Sequence, residues 1–183
     1  MTLKLLPYLL LLAVSLDCWG QNKSDTVKSI DCRLNHTDWC SGAGLPSILF
    51  KENSTELVKE KAEDEVAYIN DGYETLRDLS CIILNKKFVV EISAYADRKE
   101  KDALKLSIKR GEFVKAELIK MGVPDSVMIV KSYGSKSPFL LRQEGSGDVR
   151  KAITKRDKEL VALHSRRVEL SVLRILGHSQ GDE

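Results

Sequence analysis

Strand-like and helix-like hydrophobic patterns alternate along most of this chain, and that alternation restricts the folds that the chain can adopt. Strands are predicted at residues 47–50, 88–96, 127–130 and 168–173. Helices are predicted at residues 58–76, 102–121 and 149–164. The resulting order, β-α-β-α-β-(α)-β, has helix-length crossovers between its strands. It predicts an α+β fold, a two-layer sandwich in which helices pack on one face of a mixed sheet.

The local signals for these elements are of several kinds. The segment FVVEISAYA at 88–96 is rich in β-branched and aromatic residues, and its apolar side chains recur at every second position. The first helix has an apolar stripe at three- and four-residue spacings across 58–76, preceded by helix-capping residue types at 53–56. The second helix is expected to stop at Gly122, a residue type that favours helix ends.

Length and composition indicate one ordinary globular domain. The chain has 183 residues, 43% of them hydrophobic and 31% charged, with a formal net charge of +2. A near-neutral balance and only 6% aromatic residues disfavour a nucleic-acid-binding protein, and the high apolar content disfavours disorder. The predicted organisation is a signal peptide at 1–20, an N-terminal tail or cap at 21–45, a domain at 46–176 and a flexible tail at 177–183.

The first twenty residues have the pattern of a secretory signal peptide. Lys4 precedes a largely apolar run from Leu5 to Leu16, which is too short to cross a bilayer as a helix. Cleavage after residue 20 would give a mature chain that begins at Gln21. Alternatively, Cys18 is the acylated cysteine of a bacterial lipoprotein. Either alternative predicts an exported protein.

Export into an oxidising compartment favours disulfide formation. Cys32 and Cys40 would close a short loop and are the predicted disulfide, whereas Cys81 is expected to be a buried free thiol. A zinc site that includes His36 is conceivable, but no second pair of ligands lies nearby, so no metal site is predicted.

Two charged residues interrupt otherwise apolar patterns. In the second helix Leu106, Val114 and Leu118 define a core stripe on which Arg110 also falls, and a buried guanidinium needs a partner or a ligand. Asp97 follows the strand at 88–96, at the carboxyl end of a strand, where open α/β sheets place ligands. The two side chains either face a common ligand crevice or form a plain Asp–Arg ion pair.

Four ordered motifs resemble the OmpA-like peptidoglycan-binding domain family. They are Ala94-Tyr95-Ala96-Asp97, Leu106-Ser107-x-x-Arg110-Gly111-x-x-Val114-x-x-x-Leu118, Ser132-Tyr133-Gly134-x-x-x-Pro138 and Arg166-Arg167-Val168-Glu169. They are similar to the family's G-[HY]-T-D strand end, its N-x-x-L-S-x-x-R-A-x-x-V-x-x-x-L helix, its G-x-G-x-x-x-P turn and its R-R-V-E strand entry. Each motif is weak alone, and together they cover roughly residues 46–176.

This resemblance implies non-covalent, non-catalytic binding of peptidoglycan through the diaminopimelate of its stem peptide. By the resemblance, Asp97 would pair with the ammonium group, Arg110 would hold the carboxylate, and Arg166 and Arg167 would contribute to the same site. Secondary contacts are expected from Tyr95, Ala96 and Ser107. A guanidinium suits the carboxylate because its planar fork can bind both oxygens. The implied location is the periplasm or the periplasmic face of the outer membrane of a Gram-negative bacterium.

Departures from the family pattern keep a second function open. Ala103 replaces an asparagine, Gly111 replaces an alanine, and the loop at 98–101 is short and lacks the usual glycine. A domain that has lost peptidoglycan binding could instead bind other envelope proteins through the charged segment 139–165. An enzyme is not expected, because no arrangement typical of catalytic residues is visible and no cofactor is implied.

Overall fold

The computed structural model describes residues 45–59, 62–64, 67–69, 71–141 and 148–177. Its strands are β1 (Ile48–Leu49), β2 (Ala62–Asp64), β3 (Ala67–Ile69), β4 (Phe88–Tyr95), β5 (Met128–Gly134) and β6 (Arg167–Ile175). Its helices are α1 (Gly72–Lys86), α2 (Ala103–Lys120) and α3 (Lys155–Ser165), with a short 3-10 turn at Asp125–Val127. Within these residues, no helix has the length and apolar content needed to cross a bilayer.

The main sheet has four strands in the order β1-β6-β4-β5. β4 pairs parallel with β5, with Ile92 opposite Val130, and antiparallel with β6, with Ile92 opposite Leu170. β1 pairs antiparallel with the start of β6. The predicted mixed sheet and α+β class are therefore confirmed. β2 and β3 form a separate two-stranded hairpin.

The hydrophobic core lies between the sheet and the helices α1 and α2. Val90, Ile92 and Ala94 alternate along β4 and are all fully buried, as expected for one face of a strand. They pack in one cluster with Leu76 and Leu79 of α1 and with Val114 and Leu118 of α2, among other residues. The core thus fixes the position of α2, the helix that carries Arg110.

Gly111 lies where α2 comes closest to the sheet. A Cβ atom at this position would lie 2.6 Å from Val130 Cγ1 and 3.3 Å from the Ala94 Cβ atom. An alanine, which the family pattern has here, would favour the helix by about 0.5–1 kcal/mol but does not fit this spacing. In this chain the glycine is required by close packing.

The first predicted helix is wrong over most of its length. Asn53 has a left-handed backbone, with φ of 50°, and belongs to a turn instead of a helix cap. Leu57 forms an isolated bridge with Phe50, and the hairpin of β2 and β3 follows. Helix α1 begins only after Asp71, whose carboxylate accepts the N–H groups of Tyr73 and Glu74. Apolar residues three and four apart do not exclude a hairpin, which explains the error.

The third helix begins later than predicted, after Thr154. Thr154 and Asp157 form a capping box, and Arg150 donates two hydrogen bonds of 3.0 Å to the Asp157 carboxylate. The hydrogen bonds from Arg150 lower the pKa of Asp157. This ion pair ties the chain before α3 to its first turn, and the extended backbone of Thr154, with ψ of 161°, ends the helix at this residue.

Cys81 is not a free thiol, contrary to the prediction. It lies in α1, is 1% exposed and is disulfide-bonded. Sequence separation alone does not reveal which cysteines a fold brings together. The signal peptide, the alternative lipidation at Cys18 and the Cys32–Cys40 pairing all concern residues outside the described part of the chain.

Replacing Gly111 by alanine is predicted to destabilise the protein by about 1–2 kcal/mol, because the cost of overpacking exceeds the gain in helix propensity. Urea denaturation followed by circular dichroism measures the change. In a Val130→Ala background the same substitution is expected to be neutral or stabilising, because its closest contact is gone. A stabilising effect of Gly111→Ala with Val130 intact would contradict the packing described.

Candidate functional site

The candidate site lies at the carboxyl end of β4, where the chain turns towards α2. Ala96 N–H donates to the Gly134 carbonyl at 2.9 Å, which keeps the end of β4 beside β5. Glu100 N–H donates to the Asp97 carbonyl at 3.0 Å, and Lys99 N–H donates to Asp97 Oδ1 at 2.8 Å. These bonds define a tight turn whose first residue is Asp97.

The Arg110 guanidinium is fully buried beneath this turn. Nη1 and Nη2 donate to the two carboxylate oxygens of Glu100, at 2.8 and 2.6 Å. The remaining contacts are to backbone carbonyls, from Nε to Ser54 at 3.0 Å, from Nη2 to Lys51 at 3.1 Å and from Nη1 to Tyr95 at 3.4 Å. A guanidinium has five N–H donors, and each of them is engaged within the chain.

Glu100 is enclosed to the same degree, with a side chain that is 1% exposed. Besides Arg110, its oxygens accept the backbone N–H groups of Asn53, at 2.7 Å, and Asp97, at 2.9 Å. The Asn53 side chain in turn accepts the N–H of Lys101 at 2.9 Å. The turn after β4 is therefore fastened to the turn after β1 by a buried carboxylate.

The Arg110–Glu100 pair is held in its charged form. Burial by itself raises the pKa of Glu100, but the hydrogen bonds and charge of Arg110 and the two backbone N–H groups lower it below its ordinary value. The Arg110 guanidinium also contacts the aromatic ring of Phe50, whose centroid lies 5.2 Å from the guanidinium carbon. Of the two predicted alternatives for Arg110, the structure has an ion pair, but its acidic partner is Glu100 and not Asp97.

Asp97 instead faces outward and is half-buried. Oδ1 accepts the Lys99 N–H, and among the described residues no hydrogen bond or ion pair reaches Oδ2. Asp97 therefore keeps a carboxylate oxygen that is available to a ligand.

Two cavities meet at Asp97. The larger, of about 340 Å³, is lined by this aspartate and by the basic residues Arg98, Lys99, Lys151 and Lys158, among others. The smaller, of about 260 Å³, also has Asp97, Lys99 and Lys158 in its wall. The smaller cavity also has Glu52, Glu100 and Glu159 in its wall. The crevice therefore presents carboxylates beside ammonium and guanidinium groups, and it can bind a ligand that carries both signs of charge.

The two arginines at the start of β6 have different surroundings. Arg166 lines the smaller cavity, and its Nε donates to the Phe50 carbonyl at 3.2 Å. Arg167 lines neither cavity: it is 7% exposed, is paired with Glu169 at 2.6 Å and stacks over the Tyr95 ring at 4.1 Å. The predicted site residues Asp97 and Arg166 are thus brought to one crevice, and Arg110 and Arg167 are bonded within the protein.

The predicted secondary contacts are also divided between these environments. Ala96 lines the larger cavity. Tyr95 stacks on Tyr133, with ring centroids 5.2 Å apart. Ser107 is fully buried, and its Oγ accepts the Gly134 N–H at 3.1 Å, so it joins α2 to the end of β5. In the described part of the chain, His, Cys, Asp and Glu side chains form no cluster that could hold a metal ion.

Sequence reasoning overlooked Glu100 and Lys158. Glu100 is the acidic residue in the otherwise basic run at 98–101, ten positions before a buried arginine that needed a carboxylate. The need of Arg110 for a carboxylate partner was visible in the sequence, but only Asp97 was considered as that partner. Lys158 carried no comparable signal, because an exposed lysine on a charged helix is ordinary and only the packing of α3 places it opposite Asp97.

His164 is half-buried beside Arg167, and it lines neither of the two cavities at Asp97. Its ring stacks on Phe139 at 4.7 Å, and its buried Nε2 has no hydrogen-bond partner among the described residues. Burial lowers the pKa of His164, and the charge of Arg167 lowers it further. The folded protein therefore resists protonation of this imidazole.

Substitution of Glu100 by alanine is predicted to destabilise the fold by about 3–5 kcal/mol, because the buried Arg110 charge loses its carboxylate. Thermal and urea unfolding measure the loss. The matched control is Glu56→Ala, which breaks the exposed ion pair with Lys51 and should leave stability unchanged within error. Equal effects of the two substitutions would show that the buried pair has no special importance.

Stability is predicted to fall as the pH drops from about 7.5 to about 5.5, in part because of His164. The unfolded chain takes up a proton near the ordinary histidine pKa of about 6.5, whereas the folded chain does so only at lower pH. Acidification therefore favours the unfolded state. Urea unfolding at several pH values should show a shallower dependence for His164→Phe. An identical pH profile in the variant would refute this assignment.

Comparison with known proteins is consistent with the motifs and the fold. The sequence model for the OmpA family matches residues 49–152. The peptidoglycan-associated lipoprotein from Burkholderia pseudomallei is similar in structure, with a TM-score of 0.51 and 18% identity, and the match covers 75% of this chain and 98% of that one.

Two further solved structures are more distant. The OmpA-like domain of FopA1 from Francisella tularensis subsp. tularensis SCHU S4 has 15% identity and a TM-score of 0.44, over 70% of this chain and 74% of that one. The periplasmic domain of Helicobacter pylori MotB has 18% identity and a TM-score of 0.42, over 67% and 68%. No curated protein sequence matches the chain. The family match spans more than half of the sequence, and the chain therefore belongs to the OmpA family.

Proposed function

We propose that this protein binds peptidoglycan non-covalently and without catalysis, by holding the diaminopimelate of a stem peptide in the crevice at Asp97. The observation that carries the proposal is the open carboxylate of Asp97 at the junction of two cavities, of which the larger has a mainly basic wall and the smaller has both acidic and basic side chains. Membership of the OmpA family supports it. So does the structural similarity to a lipoprotein that is named for its association with peptidoglycan.

The chemistry of the crevice complements that of the proposed ligand. Diaminopimelate presents an ammonium and a carboxylate on one carbon, so it needs an acidic and a basic partner side by side. Asp97 supplies the acidic partner, and Arg166 is one of the basic groups in the same wall. Hydrogen bonds to charged groups contribute about 1.5–3 kcal/mol each, so a single stem peptide is expected to bind only modestly. A polymer with many copies of the ligand would retain the protein by rebinding.

The remaining predicted ligand contacts have supporting roles in this proposal. Arg110 holds the turn that presents Asp97, through Glu100. Arg167 packs against Tyr95 and pairs with Glu169 at the start of β6, next to Arg166. Direct contact between Arg110 and a ligand carboxylate would first require Glu100 to leave.

A second candidate function is that of an interaction module that binds other envelope proteins and no longer binds peptidoglycan. The ion pair of Arg110 with Glu100 favours this second function, because the arginine that matches the family's carboxylate-binding position is not open to a ligand. The basic side chains of α3 that surround the crevice would then contact an acidic partner surface. Under either function we propose that the protein is exported to the bacterial cell envelope.

Sedimentation with purified diaminopimelate-containing sacculi distinguishes the two functions. The wild-type protein is expected to pellet with the sacculi, and free diaminopimelate should release it. Asp97→Asn should reduce pelleting at least tenfold, because the amide keeps the turn's acceptor but loses the charge that attracts the ammonium group. Asp125→Asn is the matched control, since Asp125 is exposed at the opposite end of the sheet, before β5.

Wild-type protein that stays in the supernatant while circular dichroism shows it folded would contradict peptidoglycan binding. The interaction module would then be the better explanation. Equal loss of binding in Asp97→Asn and Asp125→Asn would indicate a general charge effect and would contradict the assignment of the crevice.

A further inference from the structure

We infer that Glu100 occupies, from within the chain, the place of a ligand carboxylate on Arg110, and that Lys99 and Lys158 hold the ligand's carboxylates instead. This inference rests on the proposed function and changes the basic half of its binding site. It assigns a ligand-binding role to two lysines on different elements, the turn after β4 and helix α3.

The first step is that Arg110 has no capacity for a ligand. Its five donors are used, two of them by Glu100 and three by backbone carbonyls. The residue is 0% exposed and lines neither of the cavities at Asp97. A ligand carboxylate cannot reach the guanidinium unless the turn opens.

The second step is that Glu100 is held by too many hydrogen bonds for a ligand carboxylate to displace it from Arg110. Each of its oxygens accepts one bond from Arg110 and one from a backbone N–H, from Asn53 on Oε1 and from Asp97 on Oε2. An incoming carboxylate would replace only the bonds to Arg110. The two backbone groups would lose their acceptor, and the turn that presents Asp97 would lose its shape. Displacement of Glu100 would therefore destroy the site that the ligand needs.

The third step identifies the groups that can replace Arg110. Lys99 and Lys158 line both cavities together with Asp97, and both are exposed. Neither ammonium group has an ion-pair partner among the described residues. Asp97 thus shares both cavities with two unpaired cations, and a carboxylate beside cations is the complement of a carbon that carries an ammonium and a carboxylate.

The charge balance of the larger cavity extends this inference to specificity. Among the described residues, its wall has one acidic side chain, Asp97, and the basic side chains Arg98, Lys99, Lys151 and Lys158. A ligand end with more carboxylates than ammonium groups neutralises this wall best. Exposed lysines are screened by salt far more than a buried arginine would be, so binding should also weaken markedly as the ionic strength rises.

The test is the dissociation constant for free diaminopimelate, measured by NMR titration of the purified protein at low and high salt. The double variant Lys99→Gln/Lys158→Gln should have a dissociation constant about tenfold higher or more, because two charge-assisted contacts are lost. The matched control is the double variant Lys105→Gln/Lys109→Gln, which removes the same charge from α2 at positions outside both cavities beside Asp97. This control should change the dissociation constant less than about twofold. Wild-type affinity should fall with added salt.

Three results would overturn the inference. One is an equal, small effect of the two double variants on diaminopimelate binding, which would leave the proposed function intact. Another is tighter binding by Glu100→Gln, which would make Glu100 a displaceable competitor for Arg110. If that variant fails to fold, the lysine variants still decide. Lack of any wild-type binding, to sacculi as well as to diaminopimelate, would refute the proposed function together with the inference.

Discussion

The buried ion pair between Arg110 and Glu100 determines the geometry of this end of the domain. Through it, helix α2 is bonded to the turn after β1, at Lys51 and Ser54, and to the turn after β4. Both charges are removed from water, so each requires the other. The position of Asp97 follows from this pair, because the Asp97 N–H is bonded to the same carboxylate. Structure and proposed binding therefore share one set of contacts.

Most of the main sheet and helix α2 could be predicted from the sequence, because these elements depend on patterns that only one structure satisfies. Alternating apolar residues in β4 and the stripe of α2 lead to the observed core. The stretch from Val58 to Asp71 was assigned wrongly, since short apolar spacings fit a helix as well as a hairpin. The sequence showed Gly111 as a departure from the family pattern, and only the 2.6 Å from a Cβ atom at this position to Val130 Cγ1 shows why an alanine does not fit.

The candidate site was predictable as a location but not as a set of contacts. Asp97 and Arg166 could be assigned to one site from the resemblance of their motifs to those of the family. The partner of Arg110 could not be predicted, because the choice between Asp97 and Glu100 depends on the conformation of the turn, which no spacing rule determines. Lys158 comes from a helix about sixty residues later, and its approach to Asp97 depends on tertiary packing that leaves no local pattern.

Whether Arg110 stays closed to the ligand is tested most directly by the NMR signal of its Nε–H group in protein labelled with 15N-arginine, recorded during titration with diaminopimelate. A closed Arg110–Glu100 pair predicts a signal protected from solvent exchange, with a chemical shift that stays constant while resonances of residues around Asp97 move to saturation. A large shift or loss of protection at Arg110, in step with saturation, would show that the ligand reaches the guanidinium and would contradict an internally closed Arg110–Glu100 pair.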